Sequence, residues 1–209
     1  MKFKTVLALS PHTDDIEFGC GGLISRLLED NSTVYVATFS ICEESVPVGL
    51  PRTILRTEMC KSLDILGIKR KNIYEFSFQV RHFPQYRQDI LEDLVKLGKL
   101  IKPDLILTPS STDIHQDHHT IYIESLRSFR YNTIFGYELP WNNISFNASG
   151  LFEISEDNLN SKIAAIDCYK SQQFRHYASG ENMRNLALLR GGQNKSKYAE
   201  AFEVIRVSL

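Results

Sequence analysis

Val6-Leu7-Ala8-Leu9, an unbroken apolar run, is followed almost at once by Pro11-His12-Thr13-Asp14-Asp15. The arrangement recurs far downstream, where Leu105-Ile106-Leu107-Thr108 leads to His115-Gln116-Asp117-His118. Short apolar runs of this kind read as strands buried on both faces, as in a parallel sheet. Ligands of open α/β sheets bind outside the carboxyl ends of the strands. Two polar clusters at two such ends can therefore converge on one site. Nitrogen and oxygen donors from two chain segments, with a carboxylate to spare, suit a catalytic zinc centre.

Working outward, strands and helices alternate. Thr5 to Leu9 reads as a strand, Gly21 to Glu29 as a helix with Leu23, Ile24, Leu27 and Leu28 on its apolar face, and Ser32 to Phe39 as a second strand. A polar loop with Pro47, Gly49 and Pro51 follows, placed where a substrate-contacting loop would sit. Then come a helix over Arg52 to Leu66 closed by Gly67, a strand over Ile73 to Phe76, a helix over Tyr86 to Ile101 stopped by Pro103, and the strand Asp104 to Thr108. His119 opens a further helix. The last third is less regular: strands over Thr133 to Glu138, Phe152 to Ile154 and Ala201 to Val207, a polar loop over Asn142 to Ser149, a helix from Ser155 to about Tyr169, and another over Glu181 to Leu189 closed by Gly191-Gly192. This rhythm predicts a Rossmann-like three-layer α/β sandwich with a mostly parallel sheet and an irregular C-terminal third. No repeat or linker interrupts it, so residues 1–209 are expected to form a single domain.

Composition excludes several functions. Lys plus Arg is 24 and Asp plus Glu is 25, which gives no electrostatic reason to expect nucleic acid or an anionic membrane as partner. No apolar stretch approaches the roughly 18 residues of a membrane span, and the N-terminus lacks a signal peptide's design. Cys20, Cys42, Cys60 and Cys168 form no CxxC pair and read as buried thiols of a reducing compartment. A soluble, cytoplasmic protein is expected; a homo-oligomer is compatible with all of this.

Taken alone, His12 and Asp15 could be an incidental loop histidine and a helix-capping acid. Asp14 beside them makes that awkward, because adjacent carboxylates repel unless a cation is near. Gly19, Gly21 and Gly22 lie too far beyond the strand for a dinucleotide fingerprint. His115, Asp117, His118 and His119 could likewise be a solvated polar loop. Together with the first cluster they read as a metal site, two His and one Asp with an open position for water. His82 and His176 lack such company.

The run Pro11-His12-Thr13-Asp14-Asp15-Ile16-Glu17-Phe18-Gly19-Cys20-Gly21-Gly22, with His115-Gln116-Asp117-His118 downstream, closely resembles the PIG-L/LmbE-like N-deacetylase family. The likeness extends over nearly the whole chain, through Arg56-Thr57-Glu58, Leu66-Gly67, Lys102-Pro103-Asp104, Tyr169-Lys170-Ser171-Gln172 and Tyr198-Ala199-Glu200-Ala201-Phe202. Two positions depart from the family pattern: Thr13 and Gln116 stand where prolines are usual. Neither departure removes a ligand or catalytic group.

The resemblance implies a metal-dependent hydrolase that removes an N-acetyl group from a small amino-sugar conjugate of the N-acetylglucosaminyl type. It implies one Zn²⁺ per chain held by His12, Asp15 and His118, with Asp14 as general base. His115 would be the second catalytic group, a protonated imidazole oriented by Asp117. Fe²⁺ or Co²⁺ would also suit such donors. Arg56, Arg81, Arg184 and Arg190 are candidate substrate contacts, and a nucleotide- or phosphate-linked sugar would suit them; surface ion pairs and a solvated helix face are the plainer readings. Rival functions are deacetylation of another acylated amine, such as an antibiotic or surface-polysaccharide precursor, a 2-His-1-carboxylate iron oxygenase, and a metal- or sugar-binding module without catalysis. Asp14 and His115 have hydrolytic uses and no obvious oxidative ones.

Overall fold

The computed structural model describes residues 2–208. Strand β1 (Thr5–Ser10) lies inside the sheet, hydrogen-bonded to β2 (Thr33–Thr38) on one side and β4 (Leu105–Pro109) on the other, all parallel. With β3 (Ile73–Glu75), β5 (Thr133–Tyr137), β6 (Gly150–Ile154) and β7 (Tyr198–Arg206) it completes a seven-stranded sheet in the order β3-β2-β1-β4-β5-β7-β6. The first five are parallel, and β7 runs antiparallel to both β5 and β6.

Alternation along β1 explains its continuous apolar run. Val6 and Ala8 face one core with Leu105 and Leu107 of β4, while Leu7 and Leu9 face the other with Ile106. Helices cover both faces: α1 (Asp15–Glu29), α2 (Ile54–Ile65), α5 (Glu156–Ile166) and α6 (Gly180–Gln193) belong to the first layer. Helices α3 (Arg87–Ile101) and α4 (Gln116–Ser128) form the other. No helix among the described residues is long and apolar enough to cross a membrane.

Two boundaries differ from expectation in ways that matter. The helix anticipated from Gly21 is the second half of α1, which begins at Asp15 and breaks at Cys20 (φ −149°, ψ 18°). The break interrupts the helical ladder, and the amides of Gly22 and Leu23 donate instead to the Glu200 carboxylate at 3.0 and 2.6 Å. An anion at the amino end of a helical segment is favourable. Gly19 is needed for packing, since a Cβ there would stand 2.3 Å from the Tyr137 ring. The second difference is that α6 runs on through Gly191-Gly192 to Gln193, and Gly191 lets the Lys197 backbone pass close by.

Glu200 also pairs with Lys162 at 2.6 Å, with both side chains about 5 % exposed. Lys162→Met would strand a buried carboxylate, a change that typically costs about 3–5 kcal/mol. For a chain of this size the melting temperature should fall by roughly 6–20 °C. An unchanged melting curve would show that the two backbone amides alone sustain the charge.

Candidate active site

β1 and β4 are neighbours at the point where the strand order reverses, so the segments leaving their carboxyl ends face each other. The β1 segment delivers His12, Asp14 and Asp15; the β4 segment delivers Asp113, His115, Asp117 and His118. Asp15 opens α1, and His118 sits in the first turn of α4.

Three donor atoms meet. His12 Nδ1 lies 3.0 Å from His118 Nε2, and Asp15 Oδ2 lies 3.3 Å from each. Ligands about a tetrahedral ion at roughly 2.0–2.1 Å stand about 3.3 Å apart. The outer nitrogens are committed elsewhere: His12 Nε2 donates to Asp117 at 2.9 Å, and His118 Nδ1 donates to Asp113 at 2.7 Å. Carboxylates in those places fix the tautomer and turn the lone pairs inward, as in metal sites generally. The rings of His12, His115 and His118 also present nitrogens within 4.8 Å of one another, a group that could hold a metal ion.

His115 caps α4, and its Nδ1 accepts the Asp117 amide at 3.2 Å. That leaves Nε2 as the protonated nitrogen of a neutral ring, a donor rather than a lone pair. The donor set therefore favours Asp15 over His115 as third partner. Burial first, then the charges of His118 and His12, push His115 down to about 4, a direction that opposes the protonated imidazole the resemblance implied. Asp117 touches His115 through its backbone and not through its side chain. Its carboxylate accepts from His12 and from the amides of Arg81 and Phe83, and it offers His115 only its backbone N–H.

Burial opposes ionisation of Asp15, but His118 and His12 beside it hold its carboxyl well below the usual range. On His118 burial is outweighed by Asp15 and Asp113, and the ring is raised to about 10. Asp14 is raised by burial and by Asp15, with Arg175 opposing. Asp14 makes no capping hydrogen bond and lines a cavity of about 370 Å³ together with His12, Asp15, His115 and His118.

Of the four candidate arginines, Arg81 lines this cavity. The other three do not. Arg56 pairs with Glu75, Arg190 pairs with Glu138, and Arg184 reaches Tyr198, Asn160 and Glu156. Sequence reading missed Arg175, Trp141 and Tyr177, which also line the cavity. It missed Asp113 as well, although an acid two residues before His115 was a usable sign. His82 and His176 are exposed, as their lack of company suggested, and His119 is exposed as well. Gln116, in place of proline, occupies the first position of α4 and donates to the Arg81 carbonyl at 3.4 Å.

A family model, PIG-L: GlcNAc-PI de-N-acetylase, matches residues 7–126, more than half of the chain and both polar clusters. YaiS of Escherichia coli (strain K12), an uncharacterized deacetylase, is 32% identical over 176 residues, covering 81% of this chain and 92% of YaiS. The chain belongs to the PIG-L family. It is accordingly a metal-dependent deacetylase, a hydrolase. The N,N'-diacetylchitobiose deacetylase from Pyrococcus horikoshii shares the fold, with a TM-score of 0.82, 22% identity, and coverage of 97% of this chain and 84% of that one. GalB, a 4-carboxy-2-hydroxymuconate hydratase from Pseudomonas putida KT2440, shares it as well, at TM-score 0.81 and 19% identity over 99% and 98% of the two chains. A PIG-L-type fold thus carries more than one reaction, and the side chains at the site must select it.

Proposed function

We propose that this PIG-L family deacetylase removes the N-acetyl group from a small amino-sugar conjugate of the N-acetylglucosaminyl type, releasing acetate and a free amine. The observation that carries the reading is the convergence of His12 Nδ1, His118 Nε2 and Asp15 Oδ2 at 3.0–3.3 Å beside a free carboxylate, Asp14. His12, Asp15 and His118 would hold a zinc ion. When bound there, zinc would polarise the acetyl carbonyl and bring the pKa of water towards roughly 7.

The chain's own groups supply the rest. Asp14, next to a ligand in sequence but outside the donor triangle, takes the proton of the attacking water. His115 Nε2–H, fixed by the helix-capping bond at Nδ1, donates to the oxygen on which negative charge develops. Asp14, now protonated, returns its proton to the nitrogen as the C–N bond breaks, since an unprotonated amide anion is a poor leaving group. Asp117 and Asp113 hold the two imidazoles in register throughout.

The test is an acetate-release screen across N-acetylglucosaminides: malate-linked, inositol-linked, nucleotide-linked and the free sugar. At least one should yield acetate and primary amine in equal amounts. A chelator should stop the reaction and Zn²⁺ should restore it. Activity that persists after complete metal removal, or a total lack of acetate with every acetamido sugar, would overturn the reading.

A further inference from the structure

Each carbonyl of the segment from Pro11 to Asp14 has a donor. Pro11 accepts the Ser40 amide at 3.0 Å, His12 accepts the Ser10 hydroxyl at 2.5 Å, and Asp14 accepts the Phe18 amide at 3.3 Å. Ser10 ends β1, Phe18 lies in α1 and Ser40 follows β2, so these bonds belong to the local turn from strand to helix. The Thr13 carbonyl is held differently. Its donor is the hydroxyl of Tyr169, 156 residues further along the chain and 3 % exposed. Thr13 stands between the ligand His12 and the base Asp14, and the chemistry above gives Tyr169 no part.

Tyr169 is itself braced from α2. Ser171, two residues on, donates its amide and its hydroxyl to Glu58 at 2.9 and 2.6 Å. One turn further along α2, Ser62 donates to Glu17 Oε1 at 2.6 Å, and that oxygen lies 2.7 Å from the Tyr169 hydroxyl. A carbonyl can only accept, so the single phenolic proton belongs to Thr13. The contact with Glu17 is then made by the proton of that carboxyl, which burial raises to about 8. Glu17, Glu58, Ser62 and Ser171 are buried with the phenol, and the ring packs in the apolar core of the first helical layer. The hydroxyl therefore has one place to be.

That place matters because a peptide unit is planar: fixing the Thr13 oxygen also fixes the nitrogen and Cα of Asp14. Asp14 stands at φ −120°, ψ −5°, outside the helical well, and its side chain makes no capping bond. The direction in which its carboxylate enters the cavity is thus set by the backbone just before it. We propose that Tyr169 is a positioning residue, which holds the Thr13 carbonyl and so aims the Asp14 carboxylate into the cavity. Its effect on rate rests on the deacetylase reading with Asp14 as base; its effect on geometry does not.

The kinetic test is a double-mutant cycle on the zinc-loaded full chain: the unaltered protein, Tyr169→Phe, Asp14→Asn and the two together. The substrate is the N-acetylglucosaminide that releases acetate fastest. Tyr169→Phe keeps the buried ring and removes one oxygen. It should lower kcat by about 10-fold or more, with KM and zinc per chain nearly unchanged, since misplacing a reacting group by about 1 Å is costly. With Asp14→Asn already present, the same substitution should cost less than about twofold, because no base is left to aim. Equal losses in the two backgrounds would mark a general structural role and overturn the proposal, as would an unchanged kcat. Tyr169→4-aminophenylalanine keeps an N–H donor towards Thr13 and should retain most of the rate. A loss of about 10-fold in that variant would also overturn the proposal, whether or not Tyr169→Phe folds.

Crystal structures separate the two claims without any substrate. In zinc-loaded Tyr169→Phe the Asp14 carboxylate should be displaced relative to the unaltered chain, while His12, Asp15 and His118 keep their places. An Asp14 that does not move would overturn the proposal. A displaced Asp14 together with a failed acetate screen would count against the deacetylase reading alone.

Discussion

Asp14→Asn is expected to lower kcat by about 10²-fold or more while the metal stays bound, the range that general acid–base groups contribute. The substitution keeps the size and polarity of the side chain and removes its basicity. Asp14 lines the cavity and makes no capping bond to α1, so folding should be little affected. The measurement is kcat for acetate release alongside metal content per chain. Loss of metal would make Asp14 a ligand. Near-normal turnover would remove it from the mechanism.

The histidines at 115 and 118 should separate cleanly. His118→Ala deletes one corner of the triangle formed with His12 and Asp15, and metal per chain should fall sharply, with activity falling in step. His115→Ala should retain the metal yet lose about 10²–10³-fold in kcat, the scale of removing one oxyanion donor. The physical basis is the proton on His115 Nε2, which the Asp117 amide enforces by occupying Nδ1. Metal analysis of the two purified variants decides between the donor sets. Retention by His118→Ala with loss by His115→Ala would mean that the three imidazoles, and not Asp15, form the site.

The strands β1 and β4 themselves were legible because both are buried on both faces and so read as plain apolar runs. The start of α1 was not, because the break at Cys20 hides the first half from any regular periodicity. Glu200 and Lys162, which stabilise that break, stand far away in sequence, and nothing local announces them. The antiparallel course of β7 was equally hidden, since its alternation is the same whichever way its neighbours run.

By itself the sequence determined the α/β class, the family, and the two polar segments that carry the chemistry. Residue type and strand-end position sufficed, because a metal site needs particular donor atoms and a parallel sheet exposes them at its carboxyl edge. Only the tertiary structure decided which atom serves which neighbour. The Asp117 carboxylate supports His12, a hundred residues away, while its near neighbour His115 receives only its backbone N–H, and His118 is held by Asp113. Of four plausible arginines, Arg81 alone reaches the cavity, while Arg175 arrives there unannounced. Hydrogen bonds and ion pairs depend on direction and distance over a few ångströms, and those are fixed by how the loops pack, not by spacing along the chain.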